Sequence, residues 1–234
     1  MNQGETPSSH VPQTGQAPGT STKLQILATE HWSLLATRSL TYTESFGRVS
    51  MFLAILSGGV IALALVAQAD HFGPTFIAIA IFVLAVVLFT GIATIGRLMQ
   101  LNGDDYRWVI AMNRIRHAYL ELHPELEPNF TASPYDDLPG ALQTLGIDVT
   151  AVRGLGSALH VVQTLPGMLS VIVAAVAGAI GALVALAFAA PSIGVTVAGA
   201  AAFVLAVVLL GYWGRRSVRR LDPGLAPRFP SPKA

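Results

Sequence analysis

Apolar and polar positions along this chain separate into long blocks. Residues 50–69 and 75–96 contain no Asp, Glu, Lys or Arg, and only Asp70-His71-Phe72-Gly73-Pro74 divides them. At 1.5 Å of rise per residue, a helical run of about twenty residues crosses the roughly 30 Å hydrocarbon core of a bilayer. The pair predicts a transmembrane hairpin, with Gly-Pro turning the chain because proline cannot continue a helix but is tolerated at the start of one. Residues 165–190 and 193–214 predict a second hairpin. The expected fold class is an all-α membrane protein of four transmembrane helices with cytoplasmic amphipathic helices.

Between and around these blocks the pattern changes. Residues 1–22 are rich in Ser, Thr, Gly, Pro and Gln and lack a basic stretch followed by an apolar one. They are read as a disordered tail and not as a signal peptide. From residue 23 to residue 48 a helix is expected, which either lies in the inner interface or runs into the first span. Its leucines and Trp32 give an irregular stripe, and Glu44 precedes Arg48 by one helical turn. The second span is expected to lead past Gly103 into a helix over 104–122, whose Asp104 and Asp105 suit an N-terminus. On it Trp108, Met112, Ile115, Tyr119 and Leu122 recur at steps of four and three, the period of a coiled-coil seam, and this stripe needs a partner. The N-terminal helix, a second protomer or another protein would serve. Arg114 lies off the stripe and is expected to be solvated. Four prolines make residues 124–140 an irregular loop, a shorter helix broken near Gly154 and Gly156 follows over 141–163, and residues 215–234 form a basic, Pro-rich tail expected to be disordered.

The two hairpins differ in composition. The first is rich in Leu, Ile, Val and Phe and suits contact with lipid. In the second, Ala174, Gly178 and Ala182 of span three and Gly194, Ala198, Ala202 and Ala206 of span four recur at every fourth residue. Small residues at that spacing let helix backbones approach closely where lipid supplies no hydrophobic drive. Spans three and four are therefore expected to form the packed centre of the bundle.

Composition agrees with this architecture. The 234 residues are 53% apolar and 12% charged, with a mean hydropathy of +0.58, whereas soluble domains carry about 25% charged residues. The fourteen Lys and Arg residues all lie before the first span, between spans two and three, or after the fourth. The positive-inside bias then places both termini and the central connection in the cytoplasm. Arg215, Arg216, Arg219 and Arg220 form one cluster directly after span four, a topological anchor and a site of lipid-headgroup contact.

Little in the sequence points to catalysis. The chain has no cysteine, which excludes disulfides, thiolate metal sites and a cysteine nucleophile. No span carries a carboxylate, which disfavours ion-coupled transport, and the buried hydroxyls of Ser57, Thr90, Thr94, Ser170 and Thr196 are expected to bond their own helix backbones. His117 and Glu121 are one turn apart, with His123, Glu125 and Glu127 close by, but such pairs are common on solvated helices. Gly154-Leu155-Gly156 lacks the preceding strand and third glycine of a dinucleotide loop. No cofactor, metal or nucleic-acid partner is expected.

The stretch S-L-L-A-T-R-S-L-T-Y-T-E-S-F-G-R at residues 33–48, continuing into Met51-Phe52-Leu53, resembles a family of uncharacterised actinobacterial four-span membrane proteins, as does R-W-V-I-A-M-N-R-I-R-H-A-Y-L-E-L at 107–122. That resemblance carries no known activity and so no functional residue. The expected function is a non-enzymatic protein of the bacterial inner membrane, whose cytoplasmic helices mediate self-association or partner binding. The alternative is an oligomeric pore or small-molecule permeation protein built around spans three and four.

Overall fold

A computed structural model describes residues 18–147, 164–219 and 226–232. Its described part is helical, with no strand among the described residues: α1 Pro18–Asp70, α2 Pro74–Leu122, a 3₁₀ turn Pro124–Asn129, α3 Leu138–Thr144, α4 Leu165–Ala187 and α5 Ser192–Arg219. Four of these helices are long and apolar enough to cross a membrane, the make-up of a multi-pass membrane protein. The expected break around residues 154–156, and most of the expected N-terminal tail, lie outside the described residues.

Helix α1 is 53 residues long and α2 is 49, about 80 and 75 Å, more than twice the thickness of a hydrocarbon core. That length bears on three expectations. Residues 18–22, read as tail, are already helical. The segment over 23–48 is continuous with the first span, the second of its two expected placements. No helix begins at Asp104, because nothing between Gly96 and Leu122 removes a backbone donor, and one glycine costs only about 1 kcal/mol. The link between the two helices is tight. The Asp70 carboxylate accepts the Phe76 N–H at 2.6 Å, Gly73 N–H donates to the Asp70 carbonyl at 2.9 Å, and a Cβ on Gly73 would lie 2.8 Å from Asp70 Oδ2.

The four long helices form a row. Helix α1 packs on α2, α2 on α4, and α4 most extensively on α5, whereas α2 and α5 touch only lightly. In the most apolar stretches of α2 and α4, 22% of residues are buried, against 11% in α1 and 6% in α5. The centre is therefore spans two and three, not spans three and four. The reason is at Gly91, where a Cβ would lie 2.5 Å from Val173 Cγ2 and 2.9 Å from the Phe52 ring. That glycine lets α1, α2 and α4 converge on one point, and Phe52, Ile95 and Leu169 around it are fully buried.

The connection between α4 and α5, residues 188–191, is longer than expected. Helix α4 stops at Ala187, three residues early, and Ala189 takes a left-handed conformation (φ 55°). Thr164 caps α4 by accepting the Gly167 N–H at 3.2 Å. Within the spans, Thr90, Thr94, Ser170 and Thr196 each donate to the carbonyl four residues earlier, so these hydroxyls are consumed by their own helices. A groove of about 730 Å³, lined by Leu63, Ala67, Gln68, His71, Phe72 and Phe76 among others, lies by the first turn.

Candidate functional site

At the end away from the turns, α1 and α2 stay paired as they run on. Their register barely drifts: Phe52 meets Gly91, Glu44 meets Arg97, Arg38 meets Asp105, and Leu34 packs with Met112 and Ile115. Glu44 receives two bonds from Arg97, at 2.9 and 3.0 Å, and one from Arg48 at 2.8 Å. The hydrogen bonds from Arg97 and then Arg48 hold its carboxyl far below the usual range, at about 2. Arg38 Nε donates to Asp105 at 2.6 Å, and Tyr42 O–H adds a bond at 3.3 Å. Burial pulls the Arg38 guanidinium down, but the bonds to Asp105 outweigh it and leave it above its ordinary value.

The seam residues of α2 are taken up within the chain. Met112 and Ile115 are buried against Leu34, with Leu27, Trp108 and Tyr119 packed around them, and Leu122 is half-buried at the end of α2. The partner of this stripe is α1. What stays uncovered is a lateral face of α1 itself: Trp32, Leu35, Tyr42 and Phe46 are 69%, 40%, 44% and 58% exposed.

A second face of α2 was not legible in the sequence. Val109 and Ile110 are buried against Ala141 of α3, with Tyr106 and Leu145 alongside, and the polar Asn113 between these faces is fully buried. It donates to the Tyr135 carbonyl at 2.7 Å and accepts from Arg116 at 2.6 Å and Thr144 at 2.9 Å. These three bonds tie α2, the loop before α3, and α3 together. The segment over 124–140 is correspondingly structured. Asp137 caps α3 by accepting the Gly140 N–H at 2.9 Å, and a Cβ on Gly140 would collide with the Tyr135 carbonyl. Helix α3 begins at Leu138, three residues before the expected helix, and ends at Thr144.

On this base lies the C-terminal segment 226–232, which was expected to be disordered. Asp136, whose side chain is fully buried, accepts from Arg114 Nε at 2.7 Å, from the Arg228 N–H at 2.9 Å and from the Phe229 N–H at 2.8 Å. Its own N–H donates to the Phe229 carbonyl at 3.1 Å. Asp137 accepts the Ser231 N–H at 2.7 Å and the Ser231 hydroxyl at 2.8 Å. The Phe229 ring stacks on His117 at 3.8 Å with 20° between planes, and Arg114 Nη2 donates to the Ala226 carbonyl at 3.1 Å. Arg114 is therefore a structural ion-pair member and not the solvated residue expected. The segment is held because a proline-containing chain outside any helix has free N–H groups, its bend at Arg228 and Phe229 turns two of them to one side, and two adjacent carboxylates satisfy them.

Electrostatics match this geometry. Burial pushes Asp136 up, but the N–H of Arg228, the guanidinium of Arg114 and the N–H of Phe229 together overcome it, and its carboxyl sits below the ordinary range. Asp137 is also lowered, burial again being outweighed, here by the bonds from Gly140 and Ser231. His117 lies 3.5 Å from Glu121 and His123 lies 2.9 Å from Glu125. No group of three or more metal-ligating side chains occurs among the described residues. What remains chemically is a surface that accepts the main-chain N–H groups of a bent peptide and stacks its aromatic ring.

The other residues singled out in the sequence lie elsewhere. Gly178 and Ala182 face α5: a Cβ on Gly178 would sit 3.1 Å from the Gly199 carbonyl, and one on Gly199 would sit 3.2 Å from Ala182 Cβ. Ala198 and Ala202 face Gly181, whose added Cβ would lie 2.6 Å from Ala202 Cβ and 3.0 Å from the Ala198 carbonyl. Gly181 and Gly199 were missed. Gly194 meets only Ala190 and Pro191 beside it in the turn, and Ala206 is half-buried. Arg215 and Arg216 are exposed on the last turns of α5, while the Arg219 side chain and Arg220 lie outside the described residues. Trp213 packs on Gly96, where a Cβ would lie 2.9 Å from its ring.

No known protein family, curated protein or solved structure matches the chain.

Proposed function

We propose that this is a non-enzymatic protein of the bacterial cytoplasmic membrane, with both termini and the α2–α4 connection in the cytoplasm, and that α1 mediates its self-association there. The single observation that carries the reading is the uncovered face of α1. Trp32, Leu35, Tyr42 and Phe46 fall at the steps of a coiled-coil seam with Ser39 between, exposed on a helix that runs about 40 Å beyond Glu44. Copies inserted in one bilayer share an orientation, so each presents this face at the same height and a two-fold pairing of α1 with α1 needs no further adjustment. The distribution of Lys and Arg supports the orientation, and the exposed Arg215 and Arg216 suit anionic headgroups. The resemblance to an uncharacterised actinobacterial membrane family is in keeping with a bacterial inner membrane. A pore is the weaker reading, because a single row of spans encloses no lumen and the small-residue faces of α4 and α5 are spent on each other.

Since the chain has no cysteine, single-cysteine cross-linking in membranes tests this directly. Leu35→Cys and Tyr42→Cys are expected to give disulfide-linked dimers, which need Cα atoms within about 7 Å, and Leu40→Cys, exposed on another face, is expected not to. Equal cross-linking at all three positions, or none, would overturn the α1 interface. A reporter active only outside the cytoplasm, if active after Ala234 and silent at His71, would overturn the orientation.

A further inference from the structure

We propose that Arg114, His117, Asp136 and Asp137 form a recognition site for a short peptide that bends at its aromatic residue, that residues 226–232 are its tethered ligand, and that this ligand exchanges with the same segment of a neighbouring copy. The contact has the parts of a peptide site and not of incidental packing. Two successive N–H groups go to one carboxylate, the next carboxylate takes both the N–H and the hydroxyl of Ser231, and the one aromatic ring of the segment stacks on His117. The order aromatic, Pro, Ser is thereby read by stacking, by the chain direction that proline imposes, and by a hydroxyl donor. The contact spans more than ninety residues of sequence, and no bond within 226–232 itself stands in its place.

Six residues separate Arg219 from Ala226, a reach of at most about 25 Å. A tether this short holds the ligand at an effective concentration of the order of millimolar, so the site is filled in cis and closed to competitors until the segment lifts. The inference rests on the self-association reading only in needing a second copy nearby, which then supplies an identical segment at the same height. Exchange would link copies through their tails as α1 links them through its face.

The test uses the full-length protein in detergent and a fluorescently labelled peptide of residues 226–234. Phe229→Pro removes from the chain's own segment the N–H that binds Asp136 and the stacked ring, while leaving the site intact. The variant is expected to bind the peptide saturably and at least tenfold more tightly than the native chain, and adding Asp136→Asn to it is expected to weaken binding at least tenfold. Absence of saturable binding to Phe229→Pro, with its helical content and mass unchanged, would overturn the recognition site. Exchange is read separately with differently tagged copies carrying Leu35→Ala and Tyr42→Ala, which removes the α1 seam. A native-tail copy is expected to retain a Phe229→Pro copy better than two Phe229→Pro copies retain each other. Equal retention would overturn exchange alone, and cross-linking through α1 is independent of both results.

Discussion

Replacing Gly181 by alanine adds one methyl group where α4 and α5 pack closely. The new Cβ would lie 2.6 Å from Ala202 Cβ and 3.0 Å from the Ala198 carbonyl, and neither atom is the free end of a flexible side chain. Ordinary carbon–carbon contact is at about 3.5–4 Å, so the two helices must part locally by about 1 Å. A gap of that size forfeits roughly a quarter to a half of each dispersion contact across the interface. The cost of such overpacking is about 1–3 kcal/mol. Gly58→Ala is the matched control, because nothing lies within 4 Å of a Cβ there. Both substitutions gain the same helix propensity, up to about 1 kcal/mol, so their difference isolates the packing cost. At about 2–4 °C per kcal/mol for a chain of this size, Gly181→Ala is expected to melt roughly 2–12 °C below Gly58→Ala in one detergent. Adding Ala202→Gly to Gly181→Ala removes the methyl group it strikes and is expected to recover most of the loss. Equal melting of the two single variants, or a double variant no better than Gly181→Ala, would refute close packing of α4 on α5 at this point.

Asp136→Ala leaves Arg114 and two backbone N–H groups without their buried acceptor, a loss of about 3–5 kcal/mol, seen as lost hydrogen-exchange protection in α3 and residues 226–232; Arg114→Asp is expected to be comparably damaging. Asp136 and Asp137 titrate below their ordinary values, so their contribution is complete above the unfolded carboxylate range near pH 4 and is lost as pH falls through the lowered values. Exchange at the Arg228 and Phe229 amides, corrected for intrinsic rate, is then expected to be flat from neutrality down to about pH 5 and to rise in stronger acid. For Arg38 and Asp105, which are 19% and 15% exposed, a double-mutant cycle read by thermal melting is expected to give a coupling of about 1–3 kcal/mol, and Arg38→Lys to forfeit the paired geometry.

The sequence by itself determined which segments are helical and apolar enough to cross a membrane. That property is additive along the chain: a run of residues without charge is long enough or it is not, and Gly73-Pro74 and Pro191 punctuate it wherever the neighbours lie. It also pointed to the seam of α2, because Met112 and Ile115 stand out against polar residues at the helical period. The row of spans with α2 and α4 at its centre was decided only by tertiary structure. In α4 and α5 small residues occur on every side, Gly181 beside Gly178 and Ala182, and Gly199 beside Ala198, so periodicity selects no face and the choice falls to whichever pair fits closest. The polar contacts were out of reach for another reason. Arg38 meets Asp105 across 67 residues and Arg228 meets Asp136 across 92, and a charge carries no local mark of its distant partner. Asp136 therefore reads in sequence as one acidic loop residue among several, and only the fold, by removing it from water, obliges it to collect the N–H groups of the C-terminal segment.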